Sequence, residues 1–133
     1  MQRFHDWPER LVAYLVARER VPFRWGRYAN DCYSNAAQWV REATGEDISA
    51  TLPDWVDAAE ADLLLGSIGM VAHLDAHLPR RDSPSFAQRG DVALVETEDG
   101  PTLCIVDAEW LVGPGKRRAE RLPRSRASIV WAV

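Results

Sequence analysis

The sequence predicts an α+β chain in which helices come first and an antiparallel sheet second. Three observations predict it. Up to about residue 80, apolar residues recur at helical spacing between good capping residues. From about residue 90 they form short β-rich runs divided by turn residues. The sequence Glu98-Asp99-Gly100-Pro101 joins two of those runs closely enough to make a hairpin.

The elements follow in order. Asp6 is a good N-cap and Pro8 suits a first turn, so a helix is expected from about Trp7 to Arg20. Trp7, Leu11, Tyr14 and Leu15 give it one apolar stripe, and Val21-Pro22 stops it. Asp31 is placed to cap a second helix in which Cys32, Ala36, Trp39, Val40 and Ala43 share a face before Gly45 closes it. Thr51 or Asp54 begins a third helix to about Leu65, with Trp55, Ala59 and Leu63 inward and Gly66 as terminator. Ser67 starts a fourth, whose apolar side is Val71, Leu74 and Leu78. Pro79 to Pro84 reads as a loop.

The sheet begins with Asp91–Glu96, and Thr102–Val106 returns beside it. Glu109–Val112 is expected as a third strand, with Gly113-Pro114-Gly115 as its turn. Ala119–Leu122 and Ser128–Val133 complete a small sheet of about five strands. No repeat or linker interrupts the chain. The expectation is one domain over residues 1–133, helical over 1–80 and sheet over 90–133.

Six tryptophans and a hydrophobic fraction of 47% argue for a packed core in a chain of 133 residues. Two cysteines do not make a disulfide framework. A Cys32–Cys104 bridge is conceivable from the layout, but spacing alone does not establish it. No segment approaches the ~18 apolar residues of a membrane span, and Met1 to Asp6 lacks the apolar run of a signal peptide. Membrane insertion and an export signal are therefore not expected. The net charge of −4 is unevenly distributed. Residues 42–62 hold seven acids and no base, while residues 113–133 hold six bases and only Glu120 as an acid. Such runs are solvated faces before they are partner surfaces, and a basic stripe on an acidic chain gives no reason to infer nucleic acid.

The chemistry centres on the stretch Phe23 to Ala37. An aromatic, Gly-containing loop leads into Asn30-Asp31 and then into a helix that starts at Cys32. A helix N-terminus offers free N–H groups and a positive dipole end, which favour a thiolate over a thiol. Cys32 is the candidate nucleophile. Trp25, Tyr28 and Asp31 are candidates for the side of a binding cleft, with core anchoring as their ordinary role. Cys104 reads as a small buried strand residue.

Two motifs carry a resemblance. Trp25-Gly26-(x)4-Asp31-Cys32, followed by an Ala-rich helix, resembles the nucleophile motif of the NlpC-like cell-wall cysteine peptidases, a papain-like superfamily. Arg89-Gly90-Asp91 and the apolar run Val92 to Val95 resemble the same group's "Gly-Asp-hydrophobic" strand. The match is closest to small members encoded in the tail-gene regions of phages and prophages. It covers the first helix, the cysteine helix and the strands from Gly90, leaving about residues 46–84 unmatched.

The resemblance implies a papain-like α+β fold and a cysteine that attacks an amide of a peptidoglycan stem peptide. A histidine on the second strand would take the thiol proton and return it to the leaving amine. Here Thr102 stands where that histidine is expected, and threonine is no general base at neutral pH. The three histidines are His5, His73 and His77. His73 and His77 are four apart, but no third ligand has matching spacing, so they read as two solvated residues, with no metal and no cofactor. Two readings stand. One is a catalytically degenerate component of a phage tail tip, meeting other tail-tip or hub proteins and peptidoglycan peptides. The other is an active peptidase that uses Cys32 and an unrecognised base. Both imply a virion location after synthesis in the bacterial cytoplasm.

Overall fold

Helices α1 (Trp7–Arg18), α2 (Cys32–Thr44), α3 (Ala58–Leu65) and α4 (Ser67–His77) precede strands β1 (Val92–Thr97), β2 (Gly100–Asp107), β3 (Trp110–Pro114), β4 (Ala119–Pro123) and β5 (Ile129–Trp131). The chain is therefore α+β, with four helices and a five-stranded antiparallel sheet. This computed structural model describes residues 1–133, apart from the side chains of Ser67 and Ile68. The capping expected of the Ser67 side chain lies outside the described residues.

Helix α2 shows why the cysteine helix forms where it does. The Asp31 side chain accepts from the backbone N–H of Ser34, and Asp31 N–H donates to Ser34 Oγ, a reciprocal capping box. Gly45 ends the helix at φ 84°, a left-handed conformation that suits glycine. Between these stops, Ala36, Trp39, Val40 and Ala43 face inward, as the spacing predicts. Asp6, in contrast, makes no cap to α1 and accepts from Arg10 Nε at 2.8 Å.

The sheet order is β4-β3-β2-β1-β5, every neighbouring pair antiparallel. One face packs Val92, Leu94, Leu103 and Ile105 against α2, α4 and the buried rings of Trp39, Trp55 and Trp131. The other carries a smaller cluster of Ala93, Val95, Cys104, Val106 and Leu111. Trp39 has no exposed surface, and removing about 200 Å² of it from water stabilises the fold by on the order of 5 kcal/mol, an upper value.

The two sheet edges are handled differently. Residues 79–81 run along β5, with Arg81 N–H donating to Val130 O and Ala132 N–H to Pro79 O, both at 2.8 Å. Strand β4 is the other edge: Ala119 N–H donates to Glu19 O at 2.9 Å, and the exposed Glu120 and Arg121 and the terminal Pro123 discourage edge-to-edge pairing.

Three expectations are corrected. Helix α3 starts at Ala58 behind an Asp57 cap, not at Thr51 or Asp54, so Trp55 is buried in the preceding loop. Ala59 and Leu63 point outward, Leu63 being 87% exposed, while Leu65 is the buried residue of α3. Gly113 and Pro114 belong to β3 rather than to its turn.

Candidate functional site

The loop before Cys32 folds back on itself through paired backbone bonds between Arg24 and Asn30, at 3.2 and 3.0 Å. Its tip is held by long-range contacts. Arg27 donates from its guanidinium to the carbonyls of Ser49, Ala50 and Leu52. Tyr28 sits at φ 68°, a conformation that costs a bulky residue about 1–2 kcal/mol, and its hydroxyl donates to Asp47 Oδ2 at 2.6 Å. Trp25 and Tyr28 are 39% and 44% exposed, the Trp25 ring packing edge-on to Phe23 and the Tyr28 ring under the Arg27 guanidinium.

Asp31 is no cleft residue. It is 2% exposed and its acceptor capacity is taken up by the fold. Oδ1 accepts from Ser34 N–H at 2.8 Å, and Oδ2 accepts from Gly26 N–H at 3.1 Å and from the Trp55 indole at 2.7 Å. The Asp-Cys pair of the motif therefore joins a structural carboxylate to a candidate nucleophile.

Cys32 lies at the α2 N-terminus against β2. The β2–β3 ladder reaches only to Ile105 opposite Val112, which leaves the Leu103 N–H free to face the sulfur. That N–H, with those of Tyr33 and Cys32 itself, favours the thiolate. Burial opposes them and wins, pushing the thiol up to about 11, and the neighbouring Asp31 carboxylate adds to the rise. No imidazole is among the groups acting on it. Burial likewise pushes the Cys104 thiol up to about 12, and both cysteines are free, so the conceivable disulfide is not formed.

Thr102 shares the strand face of Cys104 and Val106, whereas Leu103 and Ile105 face α2. Its hydroxyl donates to Gly100 O and meets Thr97 Oγ1, each at 3.4 Å, within the hairpin turn. At this point it is the backbone of Leu103, one residue further on, that reaches Cys32.

The histidine expectation is corrected in part. His73 is half-buried, with Nε2 2.8 Å from the Tyr33 hydroxyl and its ring 4.7 Å from that of His77. The Ile48 backbone favours the charged form of the same ring. Burial first, then His77, lowers the His73 pKa. His77 is exposed. Among the described residues no three His, Cys, Asp or Glu side chains converge as a metal site. Tyr33 was missing from the candidates although its spacing to Ala36, Ala37 and Val40 places it on the inward stripe of α2.

The Gly90-Asp91 motif also has a structural use. Asp91 has no exposed surface and binds Arg3 at 3.0 Å, Arg81 at 2.9 Å and the Gln88 N–H at 2.8 Å. Arg3 further donates to Val133 O and Arg89 O, tying both chain ends to the start of β1. Gly90 has φ +88°, and a Cβ there would stand 2.7 Å from Arg3 Nη1. Trp39 Nε1 donates to its carbonyl at 2.8 Å.

The model of a family described as "Domain of unknown function (DUF6950)" matches residues 2–133, and the chain belongs to that family. No curated protein matches it.

Proposed function

We propose that this DUF6950-family chain is an NlpC-like, papain-like domain with a silent cysteine site, serving as a structural or binding component of a phage or prophage tail tip. Its partners would be other tail-tip or hub proteins, with peptidoglycan peptides as a ligand class, and its place would be the virion after synthesis in the bacterial cytoplasm. Support for the fold reading lies in the order of parts: a cysteine opening a helix beside β2, and Gly90-Asp91 opening β1.

The observation that carries the silent site is the company of Cys32. A thiol at about 11, with no imidazole acting on it, is ionised to only ~10⁻⁴ at pH 7. Among the described residues the titratable neighbour acting on it is Asp31. The Asp31 oxygens are taken up by Gly26, Ser34 and Trp55 and are not free to take the proton or return one to a leaving amine. The hydroxyl at the expected base position, Thr102, is engaged with Gly100 and Thr97.

Incubation with peptidoglycan stem peptides, followed by mass spectrometry, tests this directly. Neither the wild type nor Cys32→Ala should release a fragment. Cleavage by the wild type that Cys32→Ala abolishes would establish the active peptidase instead. That second reading has one observation in its favour, the three backbone N–H groups directed at the sulfur. Proteomics of purified virions tests the tail assignment separately: the chain should be a stoichiometric component, and its absence from virions would contradict the assignment.

A further inference from the structure

Two surface patches are left over from the cysteine site, and they complement one another. The first is a groove of about 140 Å³ between α1 and the β4 edge, floored by Val12, Leu15, Val16, Val112 and Ala119, with Glu19 and the Arg89–Asp107 ion pair on its walls. Val16 is 67% exposed and Val12 50% exposed. The volume is on the scale of a cavity that takes one benzene-sized apolar group. Arg121 stands on its rim, and the exposed Lys116, Arg117 and Arg118 lie in the turn that precedes β4.

The second patch is α3. Leu63 is 87% exposed, and Glu60 and Asp62 flank it on the exposed side of the same short helix. Among the described residues, neither these acids nor Arg121 and the basic turn form an ion pair. The acidic patch has an apolar knob at its centre, whereas the groove balances Glu19 and Asp107 against Arg89 and Arg121 and owes its positive side to the adjoining turn. Helix α3 packs on α4, whose end leads into the segment covering β5, whereas the groove lies at the opposite, β4 edge.

We propose that the chain associates head to tail with further copies of itself, the Leu63 face of α3 on one copy seating in the α1–β4 groove of the next. The apolar knob fills the hole, and Glu60 and Asp62 meet Arg121 and the basic turn. Because the two patches differ, the contact is heterologous and generates a closed ring or an open stack rather than a two-fold dimer. The association requires nothing of Cys32 and holds whether or not that thiol reacts.

Analytical ultracentrifugation of the full chain, over roughly 10 to 500 μM, reads the outcome in the range expected of a small interface with a charged rim. The wild type should form species larger than a dimer as concentration rises. Raising NaCl from about 50 mM to about 500 mM should weaken the association about tenfold, because exposed charges are screened. Val16→Asp blocks the groove and Leu63→Asp blocks the knob, so each alone should be monomeric. Both positions are solvent-exposed, and unchanged circular dichroism verifies that each variant folds. Mixed one to one, the intact knob of Val16→Asp fits the intact groove of Leu63→Asp, and a heterodimer should form and grow no further. A wild type that stays monomeric, an assembly that survives Leu63→Asp, or a mixture that stays monomeric overturns the proposal.

Discussion

Asp31 and Asp91 are both withdrawn from water, both belong to short sequence motifs, Asp31-Cys32 and Gly90-Asp91, and they are held in opposite ways. Asp31 is satisfied by neutral donors: two backbone N–H groups, the Ser34 hydroxyl and the Trp55 indole. Asp91 is held by two guanidinium groups, with backbone N–H groups completing its shell. The first organises a loop and starts a helix. The second gathers both chain ends and the loop before β1 onto one carboxylate. A recognisable motif can therefore persist for folding reasons alone, and the chemistry of a site has to be argued from what faces the reactive atom.

The difference predicts unequal costs. Asp91→Asn leaves Arg3 and Arg81 facing each other without a counter-charge, and should cost about 3 kcal/mol or more in urea denaturation. Adding Arg3→Met to Asp91→Asn should recover part of that loss, since one stranded cation is then gone. Equal losses in the single and double variants would break the account of Asp91 as an ion-pair hub.

Asp31→Asn should cost less, about 1–3 kcal/mol, because asparagine still caps a helix but turns an amide N–H₂ toward donors. It also removes the charge beside Cys32, so the pH at which Cys32 ionises should fall. A loss matching that of Asp91→Asn would erase the contrast between the two carboxylates.

The smallest effect concerns His73. Its folded pKa lies below the unfolded value, so the unfolded chain binds the proton more readily. The stability it contributes is present above about pH 6.5 and is lost as pH falls through the folded pKa. The group is half-exposed, so the loss between pH 7 and pH 5 should stay under about 1 kcal/mol. His73→Phe should flatten that slope, and an unchanged slope would show that another group carries it.

How much of this was legible beforehand depends on the range of the interactions involved. Helix α2 was, because its cap, stripe and terminal Gly45 all act within the helix. The β1–β2 hairpin was legible from a turn and its flanking runs. The start of α3 was not, because residues 51–56 are set by distant partners: Arg27 holds the Leu52 carbonyl, and the Trp55 indole reaches Asp31. Gly113 and Pro114 read as a turn, yet extended backbone continues there, with Gly113 opposite Glu120 across β4. At the candidate site the position of Cys32 could be read from the sequence. Its partial burial, the Leu103 N–H facing it and the pairing of Tyr33 with His73 could not, because each depends on β2 or α4 arriving from elsewhere in the chain.

The central claim is that Cys32 is a quiet thiol. In a Cys104→Ser background, the rate of iodoacetamide alkylation as a function of pH reads Cys32 alone. The rate should still be climbing above pH 9, as expected for a thiol pushed up to about 11. A plateau reached at or below pH 7 would mean that some group in the folded protein holds Cys32 as a thiolate, and the silent-site account would be wrong.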